Sequence, residues 1–123
     1  MKIDVRSRGF RVSAGIAAHL ERRLGFALDR FGDRIARVSV RLGDENGPRG
    51  GEDKSCRLAI ELRGAGVLRV QVTDRDLYAA IDRAAHRAQR AIARHVERDQ
   101  RTLVELLGIA DLVRAERQAE GVE

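Results

Sequence analysis

The stretch CRLAIELRGAGVLRVQV, residues 56–72, is two runs of alternation around a glycine turn. Cys56, Leu58, Ile60 and Leu62 take one side of a pleated strand, and Arg57, Glu61 and Arg63 fall on the other. Gly64-Ala65-Gly66 turns the chain back into Leu68, Val70 and Val72, which alternate with Arg69 and Gln71. This is an antiparallel hairpin with one apolar side. Working outward, Val38, Val40 and Leu42 alternate with Arg37, Ser39 and Arg41 as a preceding strand. Ile3 and Val5 alternate with Lys2, Asp4 and Arg6 as a first strand ending at Gly9. Between these two strands Ser13 is a good helix N-cap, and Ile16, Leu20, Leu24, Ala27, Leu28 and Phe31 recur at helical spacing. Gly32 is expected to close that helix at about residue 31. After the hairpin, Thr73, Asp74 and Asp76 offer N-caps to a long helix with Leu77, Ile81, Ala84, Ala85, Ala88, Ile92 and Val96 on its apolar side.

The order is therefore β-α-β-β-β-α. A strand–helix–strand start makes the first two strands parallel neighbours with a right-handed crossover, and the short later connections make antiparallel pairs. Each strand has one apolar side and each helix one apolar stripe, so both helices belong on the same sheet face. The expected fold class is a two-layer α/β sandwich: a four-stranded mixed sheet with two helices packed on one face.

Composition narrows the function. The 123 residues are 43% hydrophobic, enough for one buried core. A single cysteine excludes a disulfide framework or a multi-cysteine zinc site. No apolar run approaches the ~20 residues of a spanning helix, and no signal-peptide core follows Met1. A cytoplasmic protein with no membrane partner is expected. Of 24 basic residues only Lys2 and Lys54 are lysine, and arginine's planar fork suits phosphate. Residues 1–101 hold 22 basic and 14 acidic side chains (+8), and 102–123 hold 2 and 5 (−3), giving the overall +5. A basic body with an acidic tail favours a polyanionic partner.

The second helix carries the clearest signal. Arg83, Arg87, Arg90, Arg94, Arg98 and Arg101 recur at spacings of three and four. At ~100° per residue they share a sector of about 80° opposite the apolar stripe, over roughly 27 Å. On the first helix His19, Arg22, Arg23 and Arg30 lie away from Leu20 and Leu24, so the two helices are expected to enclose a basic groove. Phe26 falls among these cations, either to stack on a base or to pack under the loop into the second strand. The water-facing sheet side, with Arg37, Arg41, Arg57, Arg63, Arg69, Glu61 and Gln71, is a rival basic surface. It has no aromatic residue for stacking and no expected groove, which points to contacts mainly with phosphate and sugar.

Catalytic readings fail on their residues. Gly47 to Ser55 resembles a phosphate loop faintly, but Asp53 precedes Lys54 and no helix follows. Asp44 and Asn46 have calcium-loop spacing, but Pro48 stands where the third oxygen is needed. Cys56 points to the core as an inert thiol. His19, His86 and His95 lack companion ligands and read as exposed helix residues, and Asp74 and Asp76 are explained by capping. No catalytic residue, metal site or cofactor site is expected, nor a small-molecule substrate.

Asp76-Leu77-Tyr78-Ala79-Ala80-Ile81-Asp82, the arginine run behind it, and Arg30-Phe31-Gly32-Asp33-Arg34-Ile35 resemble the ribosome hibernation-promoting factor and ribosome-associated inhibitor A family over roughly residues 1–100. The resemblance implies binding to the small (30S) ribosomal subunit, in the channel between head and platform where mRNA and tRNA lie, and silencing of idle ribosomes. It implies contacts to 16S rRNA from Arg22, Arg23, Arg30, Arg83, Arg87, Arg90, Arg94 and Arg98, with Tyr78 packing near the sheet. Longer members carry a C-terminal dimerisation domain, whereas 22 residues follow Arg101 here. The expectation is a short-type member without self-association: a ribosome-binding domain over 1–101 and an acidic tail over 102–123 with helical spacing at Leu103, Leu106, Leu107, Ala110 and Val113. A general structured-RNA-binding module acting off the ribosome is the alternative.

Overall fold

The computed structural model describes residues 2–44 and 53–120, with side chains to residue 109. Strand β1 (Lys2–Arg8) leads into helix α1 (Ala14–Leu28), a 3-10 turn over Asp29–Arg34, strands β2 (Ile35–Asp44), β3 (Lys54–Leu62) and β4 (Gly66–Asp74), and helix α2 (Leu77–Glu120). Ser13 caps α1, its hydroxyl accepting from the Ile16 amide at 3.1 Å. Asp76 does the same for α2, taking the Tyr78 amide on Oδ1 at 3.1 Å, while Asp74 accepts from the Asp76 amide at 3.0 Å.

The strands lie in the order β1-β2-β3-β4, with β1 parallel to β2 and the other pairs antiparallel. Gly64 and Gly66 both have positive φ, 73° and 82°, which lets the β3–β4 hairpin turn within a few residues. Gly9, with φ 91°, ends β1, and a Cβ there would meet the Asp44 carbonyl at 2.5 Å. The fold is thus the β-α-β-β-β-α sandwich that the alternation implies.

The core occupies one side of the sheet. Val38, Val40 and Leu42 from β2 and Cys56, Leu58, Ile60 and Leu62 from β3 are buried there beneath Leu20, Leu24 and Leu28 of α1. Leu77, Ile81, Ala84, Ala85, Ala88 and Ile92 of α2 are buried as well. The alanines in this set let α2 sit close to the pleat. The edge strand β1 is the shallow part, with Val5 still 38% exposed.

The end of α1 differs from expectation. The α-helix ends at Leu28 and the 3-10 turn follows, so Arg30 belongs to that turn and not to a helix face. Gly32 does not have positive φ and is no left-handed cap. Phe31 drives the tighter winding, since turning the chain there buries its ring to 8% exposure. Residues Asn46 and Pro48, read above as loop, lie outside the described residues.

The compact unit formed by the sheet and helices is Met1–Ile92, and Ala93–Glu123 forms a second. The described part of the second is the rest of α2, which continues through Gly108 to Glu120. In it Leu103, Val104, Leu106, Leu107 and Ile109 are each 56–67% exposed. No helix among the described residues is long and apolar enough to cross a membrane.

Cys56 gives a direct probe of the core. Burial without any compensating charge pushes its thiol up to about 12. Because the folded value is the raised one, the thiol's contribution to stability is complete at neutral pH and is lost as pH rises towards 12. At pH 8 the native protein is expected to react with a thiol reagent only at its unfolding rate, and at once in denaturant. Rapid labelling of native protein would place Cys56 outside the core.

Candidate nucleic-acid interface

Successive contacts show how α1 and α2 lie side by side in the same direction. A Cβ at Gly15 would be 3.2 Å from the Tyr78 hydroxyl, so glycine there leaves room for that ring. His19 meets Tyr78 edge-on with centroids 4.9 Å apart. One turn further, His19 Nε2 lies 2.7 Å from Asp82 Oδ1, and Arg23 Nε lies 3.0 Å from the same oxygen. The Arg23 Nε–H is not aimed along a hydrogen bond, so this is a charge contact, supplemented by a long bond from Nη2 to the Asp82 carbonyl at 3.5 Å.

This cluster changes two expectations and shows what Tyr78 touches. His19 is no exposed helix residue: its side chain retains 19% exposure and is held between the helices. The line between α1 and α2 is no open basic groove, because Asp82 neutralises the arginine nearest to it. Tyr78 packs against His19 of α1 and keeps 40% exposure. Asp82 was legible as the last residue of the Asp76–Asp82 motif, but its partners sit 59 and 63 residues away. Separation of that size leaves no local periodic signal.

The arginines expected to meet RNA divide into two kinds. Arg23, Arg83 and Arg87 are engaged within the protein. Arg83 Nη1 donates to the Thr73 carbonyl and to Asp74 Oδ2, both at 3.1 Å, and Arg87 Nη1 donates to the Gln71 carbonyl at 3.2 Å. These carbonyls lie on the outer edge of β4, which has no further strand, so the guanidiniums blunt an open sheet edge. Asp74 is held below the usual carboxylate range, first by the Asp76 amide and then by Arg83. That contribution to stability is present above the ordinary carboxyl range and is lost as pH falls through the lowered value.

The second kind is free. Arg22, Arg90, Arg94 and Arg98 are exposed and have no hydrogen-bond or ion-pair partner among the described residues. Arg22 and Arg90 belong to the unit that holds the sheet, and Arg94 and Arg98 to the continuation of α2. Arg30 is exposed too, its guanidinium 4.5 Å from the Phe31 ring centre, a cation–π contact that orients the side chain. Phe26 is 80% exposed and does not pack under the loop into β2. An uncovered aromatic ring on the helix that carries Arg22 is suited to stacking on a base.

The open sheet face also departs from expectation. It is not flat: hollows of about 430, 520 and 570 Å³ lie on it, bordered by Arg8, Arg6, Arg41, Arg57 and Arg69.

Arginines on both outer surfaces of a two-layer sandwich, around a core that holds the one thiol out of reach, define a binding module. The family model described as sigma 54 modulation protein / S30EA ribosomal protein matches residues 3–100, and the chain belongs to that family. It is a ribosome-associated binding protein and not an enzyme. The N-terminal domain of Protein Y from Thermus thermophilus is similar in structure, with a TM-score of 0.65 and 29% identity over 77% of this chain and 99% of that one. A ribosomal subunit interface protein from Coxiella burnetii shares the fold, with a TM-score of 0.67 and 17% identity over 79% of this chain and 99% of that one. No protein of curated function matches the sequence.

Tyr78 is the one tyrosine in a chain without tryptophan, so its fluorescence reports on the α1–α2 contact. Asp82→Ala is expected to change that emission and to lower stability by about 1 kcal/mol or less, the usual size for a partly exposed ion pair. Unchanged emission and an unchanged urea midpoint would show that the cluster does not hold the helices together.

Proposed function

We propose that this chain is a cytoplasmic translation inhibitor of the hibernation-factor kind. It binds 16S rRNA of the small subunit in the mRNA–tRNA channel through basic helix faces and holds idle ribosomes inactive. The observation that carries this reading is the family match across residues 3–100, combined with exposed arginines that have no hydrogen-bond or ion-pair partner among the described residues. A guanidinium without an internal acid gives its full charge and its paired donors to an incoming phosphate. On this ground Arg22, Arg30, Arg90, Arg94 and Arg98 meet rRNA directly. Arg23, Arg83 and Arg87 chiefly hold the surface in shape.

The domain roles follow the charge. Residues 1–101 carry the ribosome contacts, while the acidic segment 102–123 is repelled by rRNA and is dispensable for the contact. Inhibition needs no cofactor or small-molecule substrate, because occupying the channel is itself the block.

The experiment is co-sedimentation with purified 30S, 50S and 70S particles over a salt series. Wild-type protein is expected with 30S and 70S and not with 50S alone. Its log K should fall linearly with log salt, by roughly 0.7–0.9 per phosphate contact. Arg22→Glu/Arg90→Glu/Arg94→Glu is expected to lose on the order of 10²-fold in affinity or more, from charge-assisted contacts of about 1.5–3 kcal/mol each. Binding indifferent to salt would indicate protein–protein docking, and binding to RNA hairpins as tight as to 30S would indicate a general RNA-binding module.

A further inference from the structure

The uncovered side of the sheet is strongly basic and has few acids to neutralise it. The register places Arg6, Arg41 and Arg57 directly across from one another on β1, β2 and β3, with Gln71 completing the row on β4. At about 4.8 Å between strands, three guanidiniums start within roughly 10 Å of sheet width. Like charges opposed across a ladder repel. Seven basic side chains stand on this face against two acids, Asp4 and Glu61. Asp4 is taken by Arg37 at 3.3 Å. Arg6, Arg8, Arg41, Arg57 and Arg69 have no hydrogen-bond or ion-pair partner among the described residues.

The face is also shaped to admit a ligand. Ser39 and Ala59 lie beside each other on its central strands, and Gly43 opposes Ser55 one row past the arginines. A Cβ at Gly43 would meet Ser55 Oγ at 2.5 Å, so that corner holds nothing larger. Small floors between long arginines leave the 430 and 570 Å³ hollows, which Arg41 and Arg57 both border.

We propose that this open sheet face is a second RNA-binding surface, in which the Arg6–Arg41–Arg57 row, with Arg8 and Arg69 beside it, grips the phosphodiester backbone of duplex RNA. The choice of duplex backbone follows from the side chains. No aromatic residue stands on this face, so it has no platform for the splayed bases of a single strand. What it offers is repeated bidentate donors at fixed spacing, which suit phosphates presented by a regular helix. The protein would then touch rRNA on both of its layers, with the helix arginines on one wall of a cleft and the sheet row on the other. That placement rests on the ribosome reading; the affinity of the face for duplex RNA does not.

The test compares Arg41→Gln/Arg57→Gln with Arg90→Gln/Arg94→Gln, two pairs that change net charge equally. Each is measured against a short RNA duplex and against 30S subunits over a salt series, after thermal melts show both variants folded. A third protein carries a photo-crosslinker as Gln71→p-benzoylphenylalanine, beside the row. The sheet pair is expected to bind duplex about tenfold or more weaker, with the salt slope reduced by roughly 1.5 for two lost phosphate contacts. It should also weaken 30S binding, with the crosslinker labelling rRNA. A sheet pair with wild-type duplex affinity and slope overturns the proposal, and a crosslink to ribosomal protein alone overturns the placement of this face against rRNA. Wild-type protein that binds duplex through the sheet row but ignores 30S would overturn the ribosome reading and leave the sheet surface standing.

Discussion

Everything in this molecule follows from the pleat of β2 and β3. Successive side chains on a strand point to opposite faces, so Val38, Val40 and Leu42, with Cys56, Leu58, Ile60 and Leu62, share one side and are almost wholly removed from water. The same geometry forces Arg41 and Arg57 together on the other side. A register slip of one residue would put the arginines under the helices, an arrangement no charge partner there could offset. One constraint thus creates the core and concentrates the charge.

The helices add a second level of sorting. Asp82 draws His19 and Arg23 into the seam between α1 and α2, and the β4 edge draws in Arg83 and Arg87. Of the helix-side arginines, Arg22, Arg90, Arg94 and Arg98 remain exposed with no hydrogen-bond or ion-pair partner among the described residues, which leaves their charge for a phosphate. The proposed binding surface is therefore defined as much by the acids and carbonyls that withdraw arginines from it as by the arginines themselves.

The fold was legible because strand alternation and helical spacing are local. Strand order, the shared core face and the Gly64–Gly66 turn all follow from residues a few positions apart. The site was only partly legible. Spacing alone placed the six arginines of α2 on one stripe, but it could not show that Thr73 and Gln71 present bare carbonyls to the first two. Nor could it pair Asp82 with His19, since nothing within either helix encodes the other's position. The hollows on the sheet face depend on Gly43, Ser39 and Ala59 meeting their neighbours across strands, which only register reveals. The helix ends earlier than its spacing implies for a related reason: burial of Phe31 outweighs the glycine after it.

The proposed reading is that a basic sandwich with arginines on both layers, in a family of ribosomal proteins, lies against folded RNA. Chemical footprinting of 16S rRNA in 30S subunits, with and without the protein, tests that claim most directly. Saturable protections confined to the mRNA–tRNA channel, and weakened when Arg22, Arg90 and Arg94 are replaced, are the predicted result. A 16S reactivity pattern that stays the same at saturating protein would contradict it.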